Sequence, residues 1–262
     1  GGQLVDLVAA ADLREHKLTI QFKPRWAPVL QADSTRGDAI VEWVAKGHEI
    51  GGHHHVEDHP GGWDGYSNDP NTQTSTRPPF YQGDMEAWLT ALVAMLPAEI
   101  DVRTVSSKDY DFPTAIGYQT GGSDSSPQPS DADSVPTAKI LNGLVVWNLK
   151  HAALIAGGVW NTEGMKTAFE GTAADQVFGV AFHPQDYDGS AGSDIHQWFD
   201  FLAAQDSTQS RGRTAGQILD AHLASLTTAL PGLSGTGSGL LFALLAAAGS
   251  WLGRSFGGQR PS

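Results

Sequence analysis

Residues 17–54, KLTIQFKPRWAPVLQADSTRGDAIVEWVAKGHEIGGHH, carry in order the patterns of a strand, a helix and a second strand. Apolar and polar residues alternate over residues 17–22, which is typical of a β-strand with one buried face. Residues 38–46 have the apolar spacing of a helix, and Gly47 ends it. Residues 48–54 then form the second predicted strand. Because strands joined through a helix usually pair in parallel, this stretch predicts an α/β fold.

Predicted strands and helices continue to alternate along the rest of the chain. Helical patterns cover residues 4–16, 84–96, 194–204 and 214–230. Strand patterns cover residues 100–105, 144–149 and 177–182, and a Ser-, Asp-, Pro- and Gly-rich loop is predicted over residues 121–136. Strands that alternate with helices favour a parallel sheet covered by helices. In barrels of this kind, functional side chains follow the carboxyl ends of the strands, where His183 and the histidine-rich residues 53–59 both fall.

The composition narrows the class of protein. A chain of 262 residues and 27.7 kDa can bury one substantial core, so we expect one domain over residues 1–230 followed by a tail. The net charge of −13 argues against a nucleic-acid partner and against adsorption to an anionic membrane. The absence of cysteine excludes disulfides, thiolate zinc sites and a cysteine nucleophile, and it fits an exported protein. Because residue 1 is Gly and not Met, we expect a processed or trimmed chain.

The tail, residues 231–262, differs in composition from the rest of the chain. Residues 231–239, PGLSGTGSG, are predicted to be a flexible linker. The apolar residues 240–252 follow, but a membrane-spanning helix needs about 20 residues. Two interpretations stay open: a small helix packed on the domain, or a C-terminal anchor or sorting signal, which the linker and the later Arg254 favour. We therefore expect an extracellular or cell-envelope protein, attached to a membrane or cell surface through this tail.

Residues 47–66, GHEIGGHHHVEDHPGGWDGY, hold half of the chain's ten histidines. These histidines are His48, His53, His54, His55 and His59. Neutral imidazole is the most common nitrogen ligand of zinc and its neighbours, and carboxylates of the kind that lie among these histidines also bind metals or orient other ligands. The stretch therefore predicts a metal site. A solvated polar loop and the remnant of a purification tag are the alternatives.

Strand geometry selects among these histidines. Side chains alternate between the two faces of a strand, so His53 and His55 point one way and His54 points the other. His59 comes after enough residues for the chain to turn back. We expect His53 and His59 to be the main ligands and His55 to be the third candidate, whereas His48 is expected to be structural.

His183 directly follows the predicted strand 177–182. Pro184 disfavours a helical conformation for the residue before it, so His183 is expected at the extended end of this strand. A histidine in this position can act as a general acid or base, because its pKa is close to neutrality. The alternative is a histidine that only caps the sheet by hydrogen bonding.

Trp63, Asp64 and Tyr66 follow the histidines. An aromatic ring that stacks on a sugar and a carboxylate that binds its hydroxyl groups would suit a glycan. The alternative is that these residues fold the loop back onto the domain.

Two short motifs resemble the polysaccharide deacetylase family. Residues 47–53, GHEIGGH, followed by a further histidine, are similar to the family's second motif, and residues 182–184, FHP, are similar to its late motif. The resemblance implies a distorted (β/α)7 barrel, one divalent metal ion, usually zinc, and hydrolysis of an N- or O-acetyl group on a glycan. Carried over by position, His53 and His59 would be metal ligands and His183 the acid that protonates the leaving group.

The chain departs from the family at two points. The family's histidines are four residues apart, whereas His53 and His59 are six apart. The family also begins with a strand that ends in two aspartates, and no residue before His53 supplies that pair. Either that strand precedes Gly1, which would leave the barrel incomplete at its N-terminus, or the chain is a divergent relative. The alternatives to a metal-dependent deacetylase are a non-catalytic metal- and glycan-binding relative and a glycoside hydrolase, which needs two facing carboxylates.

Overall fold

A computed structural model describes residues 2–58, 62–122, 133–154, 161–206 and 212–228. The α-helices are α1 (Gly2–Asp12), α2 (Ala27–Gln31), α3 (Thr35–Ala45), α4 (Met85–Ala94), α5 (Thr162–Glu170), α6 (Asp194–Gln205) and α7 (Ala215–Thr228). The strands are β1 (Thr19–Phe22), β2 (Glu49–His53), β3 (Thr104–Ser106), β4 (Tyr118–Thr120), β5 (Asp133–Ser134), β6 (Thr137–Leu141), β7 (Leu144–Leu149), β8 (Ala152–Ala153), β9 (Val177–Phe178) and β10 (Val180–Ala181). Short 3-10 helices cover Pro24–Trp26, Pro70–Thr74 and Pro184–Asp186.

The centre of the fold is a six-stranded sheet in the order β1-β2-β3-β4-β7-β6. All neighbouring strands in it are parallel except β6, which forms an antiparallel hairpin with β7. Strand β8 pairs in parallel with β10, and β5 pairs antiparallel with β9. The chain is therefore a mixed α/β protein with a mostly parallel central sheet, as the sequence predicts.

The parallel strands end at one edge of the sheet. Phe22 of β1 is level with Gly52 of β2, and His53 is level with Ser106 of β3. We call this edge, formed by the last residues of β1, β2, β3, β4 and β7 and the residues that follow them, the carboxyl edge. Because the strands end together, the side chains just beyond them lie close to one another.

One face of the sheet is apolar and carries the main core. Ile20, Phe22 and Ile50 are buried in it together with residues of α1, α3 and α4. Gly52 lies on this face, where an added Cβ atom would stand 2.4 Å from the ring of Trp88. Glycine at this position therefore lets α4 pack directly against β2.

The opposite face is polar along β1 and β2 and apolar along β7, where Trp147 and Leu149 pack against α7. Gly51 faces Thr104 and Gln21, and an added Cβ atom would stand 2.6 Å from Thr104 Oγ1. Helix α7 covers the lower part of this face, where the backbone N–H of Gly216 donates to Glu49 Oε2 at 2.8 Å. The upper part, towards the carboxyl edge, carries His53. Strands β1 and β2 thus present His53 on a polar face and bury their apolar residues on the other.

Most predicted elements are confirmed, with bounds that differ by a few residues. The predicted helices over residues 4–16, 38–46, 84–96, 194–204 and 214–230 correspond to α1, α3, α4, α6 and α7, and the predicted strands 17–22, 48–54 and 144–149 to β1, β2 and β7. Helices α2 and α5 and strands β4, β5, β6 and β8 are not among the predicted elements, and β5 lies within the loop predicted over residues 121–136. The first residue of α5 follows Asn161, whose side chain accepts from the backbone of Gly164, so its capping signal was available in the sequence.

Two strand predictions are wrong in detail. The alternation over residues 100–105 reflects buried Ile100 and Val102 in an extended segment, and only Thr104–Ser106 pairs with the sheet. The predicted strand 177–182 is two short strands separated at Gly179. An added Cβ atom at Gly179 would stand 2.5 Å from the carbonyl oxygen of Lys150, so the chain passes close to the end of β7 there.

The predicted linker and tail, residues 231–262, lie outside the described residues, as do residues 123–132 of the predicted loop. Within the part of the chain that the structure describes, no helix is long and apolar enough to cross a membrane.

Candidate functional site

The carboxyl edge gathers basic side chains from four strands. They are Lys23 after β1, His53 and His55 at the end of β2, His151 after β7 and His183 after β10. His55 contacts the ring of His53 directly, and Lys23, His183 and His151 are near enough to lower its pKa. Two of the predicted site residues, His53 and His55, come together here with His183 near them.

His53 and His55 face each other through their ring nitrogens. The two Nε2 atoms are 2.5 Å apart, and the ring centroids are 4.5 Å apart. The Nζ atom of Lys23 lies 3.0 Å from Nδ1 of His55, and Nδ1 of His53 lies 3.4 Å from Oε1 of Gln21. The amide nitrogen of Gln21 donates to Thr120 Oγ1 at 2.7 Å, which leaves its oxygen as an acceptor for His53.

These contacts form a chain of hydrogen bonds with one direction. An ammonium group can only donate, so Lys23 donates to Nδ1 of His55. A neutral imidazole carries one N–H, so His55 donates through Nε2 to Nε2 of His53. His53 in turn donates through Nδ1 to Gln21.

The surroundings keep His53 neutral. Burial is the main cause that holds the pKa of His53 well below its usual value, and the neighbouring basic side chains, Lys23 among them, lower it further. Burial also lowers the pKa of Lys23 to about 8, with a smaller contribution from Arg25, so its ammonium form predominates at neutral pH. Neutral imidazole is the form that binds metal ions.

His151 is neutral for the same reason as His53. Burial lowers the pKa of His151 to about 4. At neutral pH it therefore contributes an uncharged ring to the carboxyl edge.

His54 lies on the other face of the strand end and is part of a buried charge network. Its Nδ1 atom is 3.0 Å from Asp64 Oδ1, its Nε2 atom is 3.2 Å from Asp111 Oδ2, and all three side chains are fully buried. Burial disfavours the imidazolium, but the hydrogen bonds to Asp111 and Asp64 and their charges outweigh it, so the pKa of His54 is raised. Both ring nitrogens then donate, one to each carboxylate.

The two aspartates have further donors. Asp64 Oδ2 accepts from Trp88 Nε1 at 3.1 Å, and Asp111 Oδ1 accepts from Ser67 Oγ at 2.9 Å. The backbone N–H of His54 donates to the carbonyl of Ser106 at the end of β3. This network ties the residue between His53 and His55 to the loop after β2, to α4 and to the loop after β3.

The structure places the predicted sugar-binding residues in the interior. Trp63, Asp64 and Tyr66 are all buried. Trp63 Nε1 donates to the carbonyl oxygen of Pro79 at 2.7 Å, and the Tyr66 hydroxyl donates to Gln82 Oε1 at 3.1 Å. These contacts correspond to the alternative interpretation, in which the three residues fold the loop back onto the domain.

The remaining predicted residues lie in different settings. His183 is exposed, and its Nδ1 atom is 3.5 Å from Asp186 Oδ2. His48 lies at the opposite end of β2, where its ring accepts from the backbone N–H of Leu18 and contacts Asp12 at 2.9 Å. His59 lies outside the described residues.

Sequence reasoning missed Lys23, Gln21, His151 and Asp111. Gln21 belongs to β1 and Lys23 directly follows it, so the pairing of β1 with β2 could have indicated that both lie near His53 and His55. Asp111 is 57 residues from His54, and no local pattern connects the two.

The residues present provide part of a metal site. His53 and His55 bring two imidazole nitrogens together, although an ion would have to replace the hydrogen bond between them, and Gln21 already orients the Nδ1–H of His53, as is usual for a metal-binding histidine. His55 would have to move its proton to Nδ1, which requires Lys23 to leave. Among the described residues, no group of three or more His, Asp or Glu side chains is arranged to hold an ion.

Comparison with known proteins adds no relative. No protein-family model matches the chain, and no curated protein and no solved structure matches it either.

Proposed function

We propose that this protein is a metal-dependent hydrolase that removes acetyl groups from a glycan, on a distorted (β/α)7 barrel. The convergence of the His53 and His55 ring nitrogens at the carboxyl edge is the observation that carries the proposal. Parallel α/β proteins bind ligands at this edge, and the resemblance to polysaccharide deacetylases makes His53 one of the metal ligands. The run of parallel strands β1 to β4 and β7 agrees with the mostly parallel sheet that such a barrel requires. A location outside the cell or in its envelope, expected from the sequence, belongs to the same proposal.

His53 and His55 would hold the ion through their Nε2 atoms, with His59 as the further ligand that the sequence predicts. Gln21 would keep the His53 ring in the required tautomer by accepting from Nδ1. A bound divalent ion, zinc by the resemblance, supplies polarisation of the acetyl carbonyl and a bound water of lowered pKa.

His183 would donate the proton to the departing amine or alcohol. It follows β10, is exposed, and is near enough to His53 to influence the pKa of that residue. Asp186 Oδ2 lies 3.5 Å from Nδ1 of His183 and can orient the ring.

A binding protein without catalysis is the second candidate function, and Lys23 is the observation that favours it. Deacetylation needs a base, which the resemblance assigns to an aspartate on the first strand. In this chain β1 lies beside β2 and is followed by Lys23, whereas Asp64 and Asp111 are engaged with His54. A glycoside hydrolase, the third alternative, would need two carboxylates that face each other across the site, and the residues described around His53 are basic instead.

Elemental analysis of the purified protein tests the metal site. We expect about one divalent ion per chain, lost in His53→Ala and in His55→Ala and retained in His48→Ala, which removes a buried histidine from the other end of β2. His59→Ala tests the further predicted ligand. Metal that is absent, or that survives both His53→Ala and His55→Ala, contradicts the proposal.

The metal-loaded protein is then assayed for the release of acetate from acetylated glycans. Release that is lost in His183→Gln while the metal stays bound supports hydrolysis. Metal binding without any release supports the binding protein.

A further inference from the structure

Lys23 has an unusual setting for a lysine. It follows β1 at the carboxyl edge, is partly buried, and contacts Nδ1 of His55 at 3.0 Å. No carboxylate oxygen of the described residues lies within 4.0 Å of its ammonium group. The acidic group that acts on it electrostatically is Asp64, which is fully buried and bonded to His54. A partly buried ammonium group whose described contact is an imidazole has unused capacity to bind an anion.

Arg25 adds positive charge beside Lys23, and the carboxyl edge that Lys23 faces also holds the basic side chains of His53, which is neutral, His55 and His183. The whole chain has a net charge of −13, so this concentration of basic groups runs against the overall balance. A local basic site on an acidic protein attracts a negatively charged ligand selectively to that site.

We propose that Lys23 and His55 bind a carboxylate group of the ligand, which makes a glycan that contains sugar acids the preferred substrate class. When an anion draws Lys23 away from His55, the proton of His55 can move from Nε2 to Nδ1 and be donated to the same anion; the hydrogen bond from His55 to His53 then breaks, and the two Nε2 atoms move apart. One ammonium N–H and one imidazole N–H then serve the two oxygens of a singly charged carboxylate. The glycan part of this inference rests on the proposed function, whereas the carboxylate site does not.

Calorimetric titration of metal-free full-length protein tests the carboxylate site directly. The probes are trigalacturonate and its fully methyl-esterified form, which have the same sugar backbone and differ in charge. We expect the acid to bind at least about tenfold more tightly than the ester, and rising salt to weaken only the acid.

Three variants assign that preference to Lys23. Lys23→Gln should lose the preference for the acid over the ester, and Lys23→Arg should keep most of it. The control Lys46→Gln removes an equal charge from an exposed lysine that pairs with Asp12 and Glu42, and it should keep the full preference. Circular dichroism confirms that each variant is folded.

Equal binding of acid and ester by the unmodified protein, or no binding of the acid, overturns the inference. So does a preference that persists in Lys23→Gln as strongly as in Lys46→Gln. Metal content and acetate release are measured separately. A protein that binds the acid but no metal would contradict the proposed function and leave the carboxylate site intact. A protein that binds metal and releases acetate but shows no preference for the acid would contradict only the carboxylate site.

Discussion

Replacing His54 with leucine should destabilise the protein strongly, because it leaves two buried carboxylates without their shared cation. The side chains of His54, Asp64 and Asp111 are fully buried. Removing one partner of a buried ion pair costs about 3–5 kcal/mol. Asp64 keeps the donor Trp88, and Asp111 keeps Ser67, so we expect the lower end of that range, about 3 kcal/mol.

Equilibrium unfolding in urea, followed by tryptophan fluorescence, measures this loss. His48→Leu is the matched control, since its ring is equally buried but its partner Asp12 remains about a fifth exposed, and we expect a loss of about 1–2 kcal/mol. The combined variant with Asp64→Asn and Asp111→Asn should recover part of the loss, because it removes the unpaired charges. An unfolding free energy of His54→Leu within about 1 kcal/mol of the unmodified protein would refute the buried charge network.

The same network predicts a pH dependence. Because the pKa of His54 is raised in the folded state above its ordinary 6.5, its stabilising contribution is complete below that value and is lost as the pH rises through the folded pKa. The stability difference between the unmodified protein and His54→Leu should therefore narrow as the pH rises above 6.5. A difference that grows with pH would contradict the assigned charge state.

Three further changes give independent tests. Gly52→Ala should destabilise by about 1–3 kcal/mol in urea unfolding, since the added Cβ would stand 2.4 Å from Trp88, whereas Gly117→Ala, with nothing within 4 Å, should be close to neutral. Lys23→Met should tighten zinc binding about tenfold in a competition titration, because it removes the ammonium group that repels the ion and donates to the ring of the proposed ligand His55. Weaker zinc binding would count against the two-histidine site. The pKa of His151 is lowered to about 4, so folding is penalised as the pH falls from 6.5 towards 4, and His151→Gln should reduce that acid destabilisation in thermal melts.

The fold was predictable where one rule decided the local structure. Alternation identified β1 and β2, helical spacing identified α3 and α4, and their order in the chain indicated parallel pairing. Alternation failed over residues 100–105, because buried apolar side chains also alternate in an extended segment that has no strand partner. The pairing of β8 with β10 depends on contacts between distant segments that no local pattern reports.

The site was predictable only along one strand. The alternation of side chains correctly separated His54 from His53 and His55, because all three belong to one extended segment. The partners of these rings come from other parts of the sequence: Lys23 from β1 and Asp111 from the loop after β3. Those positions follow from strand order and register, which become known only once the chain has folded.

The run of three histidines divides two electrostatic roles between the faces of one strand. On the apolar side, two aspartates hold His54 as a cation and fix the strand end in place. On the polar side, burial and neighbouring cations keep His53 neutral, and Lys23 occupies the nitrogen of His55 that decides its tautomer. An ion needs the Nε2 lone pair of His55, which is available only when Nδ1 carries the proton. Any ligand that draws Lys23 away therefore also prepares His55 to bind a metal, so an anionic ligand and a metal ion should each strengthen the binding of the other.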